Sequence, residues 1–307
     1  MQRRAATVAA AAIGLAVFAG AAACSRETPQ TRTAAAPASP IAPDLLPLMS
    51  DVVLSGAGDI GECGSPGVEA TAALLDAIPG AVFTSGDNAY MHGSLRDFQQ
   101  CFERTWGRHR SRMFPAPGNH EYETPNAAGY FAYFGERAGP AGLGYYSFEL
   151  GAWHVVSLNS SVPAGQGSAQ LQWLRNDLLG ATAPCIAAIW HHPLYSSGPN
   201  GDHSNMRDVW RVLTDAGADV AITSHDHLYE RQAPHTAEGR VDPRGLRSFI
   251  VGTGGAHLYA TGGSPRPMTE VRVLSWGVIK LTLSPGRYRW EFVTPSGIQD
   301  RGAERCH

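Results

Sequence analysis

The chain has 307 residues, 43% apolar and 17% charged, with a formal net charge of −3. That length and apolar content allow one large α/β domain or two small ones, and exclude a wholly disordered chain. The absence of a basic excess argues against nucleic acid or an anionic membrane surface as a partner.

The first element is a processing segment. "MQRR" is a short positive stretch, and "AATVAAAAIGLAVFAGAAA" is an apolar run of mostly Ala and Gly ending in small residues. Residues 1–23 therefore read as a cleavable export signal. "AAAC" places Cys24 where a bacterial lipoprotein is cut and lipidated, although Ala21 stands where that motif usually has Leu, Val or Ile. Lipidation at Cys24 is favoured over plain secretion, and an uncleaved anchor ranks third. Residues 24–50, rich in Pro and Ala, read as an extended tether. Four further cysteines follow, Cys63, Cys101, Cys185 and Cys306. An even number in an exported chain points to disulfides. Of the three possible pairings, Cys63–Cys101 with Cys185–Cys306 is favoured; four buried thiols is the alternative.

From residue 51 onward, strand-like and helical patterns alternate. Apolar, β-rich runs occur at "VVLSGAG", "AVFTSG", "MFPAPG", "YYSFEL", "WHVVSLN", "CIAAIW", "DVAITS", "SFIVGTGG", "WGVIKLTL" and "YRWEFV". Helical periodicity appears at "VEATAALLDAI", "SLRDFQQCFERTW", "SAQLQWLRNDLL" and "MRDVWRVLTDAG". Hairpin-like pairs at 145–158 and 277–293 make some strands antiparallel, so the expectation is an α/β domain over 51–307 with mixed sheets.

Five of these runs end in a donor side chain. They terminate in Asp59, Asp87, Asn119, His191 and His225, and His227 follows two residues after the last. Each alone has a bland reading: Asp after Gly caps a turn, and one histidine is usually a hydrogen-bonded core residue. Ligands of α/β sheets bind beyond the carboxyl ends of strands, so strands lying side by side would bring the five ends to one rim. The two imidazoles of "HDH" share a side only if that stretch is extended. Carboxylates, an amide and imidazoles without thiol suit iron, zinc or manganese. Six or seven donors suit two ions sharing a carboxylate, a clamp for displacement at phosphorus.

"GDIG", "GDNAY", "GNHE", "HHP" and "SHDHLYER", in this order, resemble the calcineurin-like metallophosphoesterase superfamily, within it the purple acid phosphatase branch and its bacterial exported relatives. The resemblance implies a four-layer α/β/β/α sandwich of two mixed sheets over 51–307. It implies a first metal held by Asp59, Asp87, Tyr90 and His227, and a second by Asp87, Asn119, His191 and His225, with Asp87 bridging. Most of the superfamily has Asp-x-His at the first motif; here it is Asp59-Ile60-Gly61, and Tyr90 replaces the missing histidine. An anionic phenolate suits a trivalent ion, so Fe(III) is expected at the Tyr90 site and Zn, Mn or Fe(II) at the second. Ser224 departs from the glycine that usually precedes the histidine pair.

The implied activity is an exported metal-dependent phosphatase. A metal-bound hydroxide attacks phosphorus in line, and His120 contacts the phosphoryl group and protonates the leaving oxygen. His203, from "SSGPNGDHSNM", is a second catalytic candidate. Glu121 supports rather than ligates, and Glu230 and Arg231 are structural. The expected substrates are small phosphate monoesters, with membrane contact only through an N-terminal lipid. The rivals are a phosphodiesterase or nucleotidase on the same site, and a non-catalytic surface binding protein.

Overall fold

The computed structural model describes residues 50–259 and 264–307. The expected export signal, Cys24 and all but the last residue of the tether lie outside them. Thirteen strands form two mixed sheets among the described residues.

The first sheet has the order β13-β12-β11-β1-β2-β3. Its strands are β1 (Val52–Ala57), β2 (Ala81–Ser85), β3 (Met113–Ala116), β11 (Val278–Ser284), β12 (Arg287–Thr294) and β13 (Gly297–Arg305). β1, β2 and β3 run parallel, which requires crossovers between them. The first crossover contains α1 (Pro66–Ala77), started by Ser65, whose hydroxyl accepts the Gly67 N–H. The second holds the short α2 (Leu95–Asp97), capped reciprocally by Ser94 and Asp97. Antiparallel pairing of β1 with β11, and of β11 with β12, completes the mixed sheet and bears out the hairpin at 277–293.

The second sheet has the order β10-β8-β9-β7-β6-β5-β4. Its strands are β4 (Tyr146–Leu150), β5 (Trp153–Ser157), β6 (Cys185–Ile189), β7 (Val220–Thr223), β8 (Tyr229–His235), β9 (Leu246–Val251) and β10 (Thr269–Val273). β5, β6, β7 and β9 are parallel neighbours. α3 (Asn119–Glu123) and α4 (Ala128–Phe134) follow β3, while α5 (Ala169–Gly180) and α6 (Arg207–Asp215) serve the second sheet.

Two apolar clusters order these layers. One joins Leu54, Phe83, Leu281 and Phe292 of the first sheet to Val155, Ile189, Ile222 and Phe249 of the second, and takes in Val68, Ala72 and Leu75 of α1. The other joins the opposite face of the second sheet, through Val156, Ala188 and Ala221, to Leu171 and Leu174 of α5 and Val209, Trp210 and Leu213 of α6. The result is helix, sheet, sheet, helix. β2, β5, β6 and β7 are buried along their whole length, which is why they read as continuous apolar runs rather than alternating ones.

Both disulfides join the favoured partners. Cys63, just beyond β1, bonds to Cys101 in the turn after α2. Cys185, the first residue of β6, bonds to Cys306, one residue beyond β13. The second bridge therefore links the two sheets covalently.

Candidate metal centre

The five donor-bearing strand ends do not come from one row of strands. β1, β2 and β3 are neighbours in the first sheet, and β6 and β7 are neighbours in the second. The ends meet because the sheets are stacked, so the site lies along the seam between them. The Gly58 N–H donates to Val251 O across that seam at 2.9 Å.

Three of the expected ligands leave their strands through a backbone that L-residues rarely adopt. Asp59, Asp87 and His225 have φ of 58°, 48° and 69°. Each costs on the order of 1–3 kcal/mol and persists only where its surroundings hold it, as they do here. The turn after β1 lies on the turn after β2, with Asp59 N–H to Gly86 O at 3.0 Å and Ile60 N–H to Asp87 O at 2.9 Å. Glu121, fully buried, gathers the N–H groups of Asp87 (3.0 Å), Asn88 (2.8 Å), Ala89 (3.3 Å) and Gly118 (2.7 Å) on its carboxylate. These four bonds support the turn after β2. Gly118 is obligatory at its place, because a Cβ there would lie 2.2 Å from Asp87 Oδ1.

The donor atoms fall into two groups that share one oxygen. In the first, the Tyr90 hydroxyl lies 2.8 Å from Asp59 Oδ1, 3.1 Å from His227 Nε2 and 3.3 Å from Asp87 Oδ2. In the second, His191 Nε2 lies 3.1 Å from the same Asp87 Oδ2, 3.0 Å from Asn119 Oδ1 and 3.1 Å from His225 Nδ1. Adjacent ligands about an ion with bonds near 2.1 Å are themselves about 3 Å apart, so the spacing in both groups fits a cation. The donor chemistry fits as well: oxygens and imidazole nitrogens, no thiol.

The remaining lone pairs and protons are committed elsewhere, which aims these atoms. Asp87 Oδ1 accepts the His120 N–H (2.9 Å), leaving Oδ2 for both groups. Asp59 Oδ2 accepts the His225 N–H (2.8 Å), leaving Oδ1. His191 Nδ1–H donates to Ser85 O (3.0 Å), and His227 Nδ1–H donates to His257 O (2.6 Å), an assignment made from the network. Each fixes the tautomer whose Nε2 lone pair faces the group. Ser224 has a use at this point. Its hydroxyl donates to Ser85 O (2.5 Å) while its oxygen lies 3.0 Å from His191 Nδ1, so it steadies that imidazole.

Electrostatics follow from this crowding. Burial works to raise the Asp59 carboxyl, but the His227, His191 and His225 imidazoles outweigh it and hold it below its ordinary range. Burial opposes charge on His191, yet Asp87 and Asp59 prevail and push it up to about 9. The Tyr90 phenol is pushed well above its ordinary value by burial, then by Asp59 and Asp87. The protein thus supplies negative charge and proton-holding donors that a cation would relieve.

The "HDH" stretch is not extended. It turns at His225, so the two imidazoles diverge: His225 to the second group, His227 to the first. The ring of His120 lies 4.4 Å from that of Tyr90, with Nε2 3.8 Å from Asp87 Oδ2 and Nδ1–H donating to Met91 O (2.5 Å). His203 is 4.8 Å ring to ring from His225 and 4.6 Å from His192, and its buried Nε2 has no partner among the described residues. Both catalytic candidates therefore flank the donor groups.

Sequence reasoning missed two residues at this site. Tyr259 stacks on His227 at 4.0 Å; it follows the Gly-rich "GTGGAHL", where nothing but proximity in space marks it. His192, the second histidine of "HHP", lies 4.5 Å from His225 with Nδ1 2.8 Å from the Ser160 hydroxyl. Glu230 and Arg231 point to opposite sides of β8, Glu230 to Ser197 and Arg231 to Asp300, so they do not pair with each other.

Comparison with known proteins supplies the context. Residues 52–229, more than half of the chain, match the calcineurin-like phosphoesterases. Purple acid phosphatase 22 of Arabidopsis thaliana is 29% identical over 198 residues, 61% of this chain and 45% of that protein. Purple acid phosphatase 18 of the same plant is 31% identical over 152 residues, 45% of this chain and 35% of that protein. The matched stretches thus span less than half of these relatives. Among solved structures, a purple acid phosphatase from yellow lupin (Lupinus luteus) seeds superposes with a TM-score of 0.73 at 19% identity, over 84% of this chain and 54% of that one. GAP50, the anchor in the inner membrane complex of Plasmodium, superposes with a TM-score of 0.67 at 14% identity, over 84% and 89%. At these identities the structural likeness establishes the fold.

Proposed function

The chain belongs to the calcineurin-like phosphoesterase family, and from that premise we propose that it is an exported phosphatase that hydrolyses small phosphate monoesters at a dinuclear metal centre. The observation that carries the proposal is the shared Asp87 Oδ2, within 3.3 Å of Tyr90 in one donor group and 3.1 Å of His191 in the other. One carboxylate oxygen common to two donor sets is the arrangement a pair of adjacent cations needs.

Asp59, Tyr90, His227 and Asp87 hold the first ion in this reading, and Asn119, His191, His225 and Asp87 the second. When bound, the ions supply positive charge for phosphoryl oxygens and acidify a water to act at mild pH. The chain's own residues do the rest. His120, anchored at Nδ1 by Met91, presents Nε2 to the phosphoryl group and gives its proton to the leaving oxygen. His203 contacts the substrate from the side of the second group. Tyr90 would hold the first ion as a phenolate, whose negative charge suits a trivalent ion. Fe(III) is the ion this reading puts there, with Zn, Mn or Fe(II) in the second group.

The export reading is supported by two disulfides, which belong to oxidising compartments. Residues 51–307 then form the catalytic domain, carried behind a signal at 1–23 and a tether at 24–50, with Cys24 as the lipidation site.

The test is metal analysis and a visible spectrum of the exported domain beside Tyr90→Phe, with p-nitrophenyl phosphate as substrate. A coloured, iron-containing wild type that loses its colour in the variant is expected. A colourless protein with two divalent ions overturns the iron assignment. A metal-loaded protein that hydrolyses no phosphate ester overturns the phosphatase.

A further inference from the structure

Between the two imidazoles of "HDH" stands Asp226, fully buried and facing neither donor group. Its carboxylate turns outward to the loop at 196–203, the segment that carries His203. Oδ2 accepts the Ser196 hydroxyl, and Oδ1 accepts the Asn200 N–H at 2.9 Å. Asn200 reaches back to the same turn, its Nδ2–H donating to His225 O at 2.7 Å. Gly198 lies flat on the carboxylate, where a Cβ would come within 2.2 Å of Asp226 Cγ. The far side of the loop is held by Glu230, which takes the Ser197 N–H (3.0 Å), and by Arg266, which bonds Ser196 O (3.1 Å) and Asp202 (2.8 Å).

We infer that Asp226 is a positioning residue for His203: it locks the 196–203 loop to the His225–His227 turn, so that the second catalytic imidazole is held at a fixed distance from the second donor group. The physical case is that a buried carboxylate costs free energy unless its oxygens are satisfied. Here the satisfying donors come from the loop rather than from neighbours on its own turn. The φ of 69° at His225 is what sends three consecutive side chains three ways, to one donor group, to the loop and to the other donor group. Among the described residues, no other carboxylate on the ligand-bearing turns faces the loop: Asp59 Oδ2 accepts the His225 N–H, and Asp87 Oδ1 accepts the His120 N–H.

The inference rests on the catalytic role proposed for His203, and the test separates the two. Asp226→Asn, His203→Ala and the double variant are made in the full chain and loaded with zinc. The expected result is a loss of roughly 10- to 100-fold in kcat for Asp226→Asn, the scale of a slightly misplaced catalytic group, with two ions retained. The double variant should be no worse than the more impaired single one. Losses that multiply, a metal deficit that accounts for the loss in rate, or unchanged kinetics in Asp226→Asn beside an impaired His203→Ala, overturn the inference. A His203→Ala protein with wild-type kinetics overturns the role of His203 instead. A readout independent of turnover accompanies these. The His203 imidazole signal in a ¹H–¹⁵N spectrum, identified by its loss in His203→Ala, should move in Asp226→Asn while that of His120 stays; an unmoved His203 signal overturns the inference. Gly198→Ala, which displaces the carboxylate from the loop side, should reproduce both effects and serves if Asp226→Asn does not fold.

Discussion

The two donor groups share a carboxylate and little else. The first adds Asp59, Tyr90 and His227, two of them able to carry negative charge. The second adds Asn119, His191 and His225, all neutral as ligands. The first is built mainly from the first sheet with one histidine from beyond β7; the second draws on β3, β6 and the turn after β7. Their difference teaches that one fold can set two donor groups of unlike charge side by side while keeping their spacing, which stays within 2.8–3.3 Å in both.

The largest effect should come from removing what the groups share. Asp87→Ala is expected to abolish phosphatase activity and to lower metal content at both positions; a variant that keeps two ions and near-normal turnover breaks the comparison outright. Tyr90→Phe should act on one side alone. Elemental analysis should show the first position depleted and the second ion kept, with turnover down by at least roughly 100-fold, beyond the range typical of groups that only support a ligand. Equal depletion of both positions would mean that the two groups do not bind separately.

Ser224→Ala should sharpen the second side. It removes the hydroxyl beside His191 Nδ1 but leaves Ser85 O as an acceptor. Competition with a chelator should show the second ion held about 10-fold more weakly and the first unchanged.

The smallest effect separates the site from its scaffold. His154, on β5, is gripped by Asp177 at 2.7 Å and Glu149 at 2.6 Å. Its pKa is raised above 6.5, first by the hydrogen bond to Asp177, with burial opposing and Glu149 adding. A raised histidine stabilises the fold fully below its unfolded value, and that stabilisation is lost as pH rises through the folded value. The Tm of the wild type should therefore fall by a few degrees between pH 6 and 9 relative to His154→Gln. Parallel curves for the two proteins would remove this clamp from the account.

Much of this was legible because strand ends carry the ligands: an apolar run stopping at Asp, Asn or His is visible in one dimension. The partition of those runs between two sheets was not, since nothing in "AVFTSGD" or "CIAAIWH" says which sheet receives it. β8, β10 and β13 escaped notice for a different reason. "YERQAPH" and "TEVRV" are half polar because charged members of each are paired within the fold, Arg231 with Asp300 and Glu270, and Glu270 also with Arg247 of β9. β13 lies at the sheet edge with no fully buried residue, and Gly302 packs on Trp290. α4 was hidden by its aromatic content, Tyr130, Tyr133 and Phe134 being buried on one another and on Phe98.

The pairing of β1 has a consequence for biosynthesis. Its parallel neighbour β2 is made soon after it, but Val52 meets Leu283 and Gly56 meets Ile279 on the other side. A nascent chain ending before residue 278 thus already contains every donor of the candidate centre, from Asp59 to His227, while one edge of β1 stands open. An unpaired edge of that kind is a template for the wrong chain. Residues 278–307 are the sheet's closing segment, and the bond from Cys306 to Cys185 fastens it.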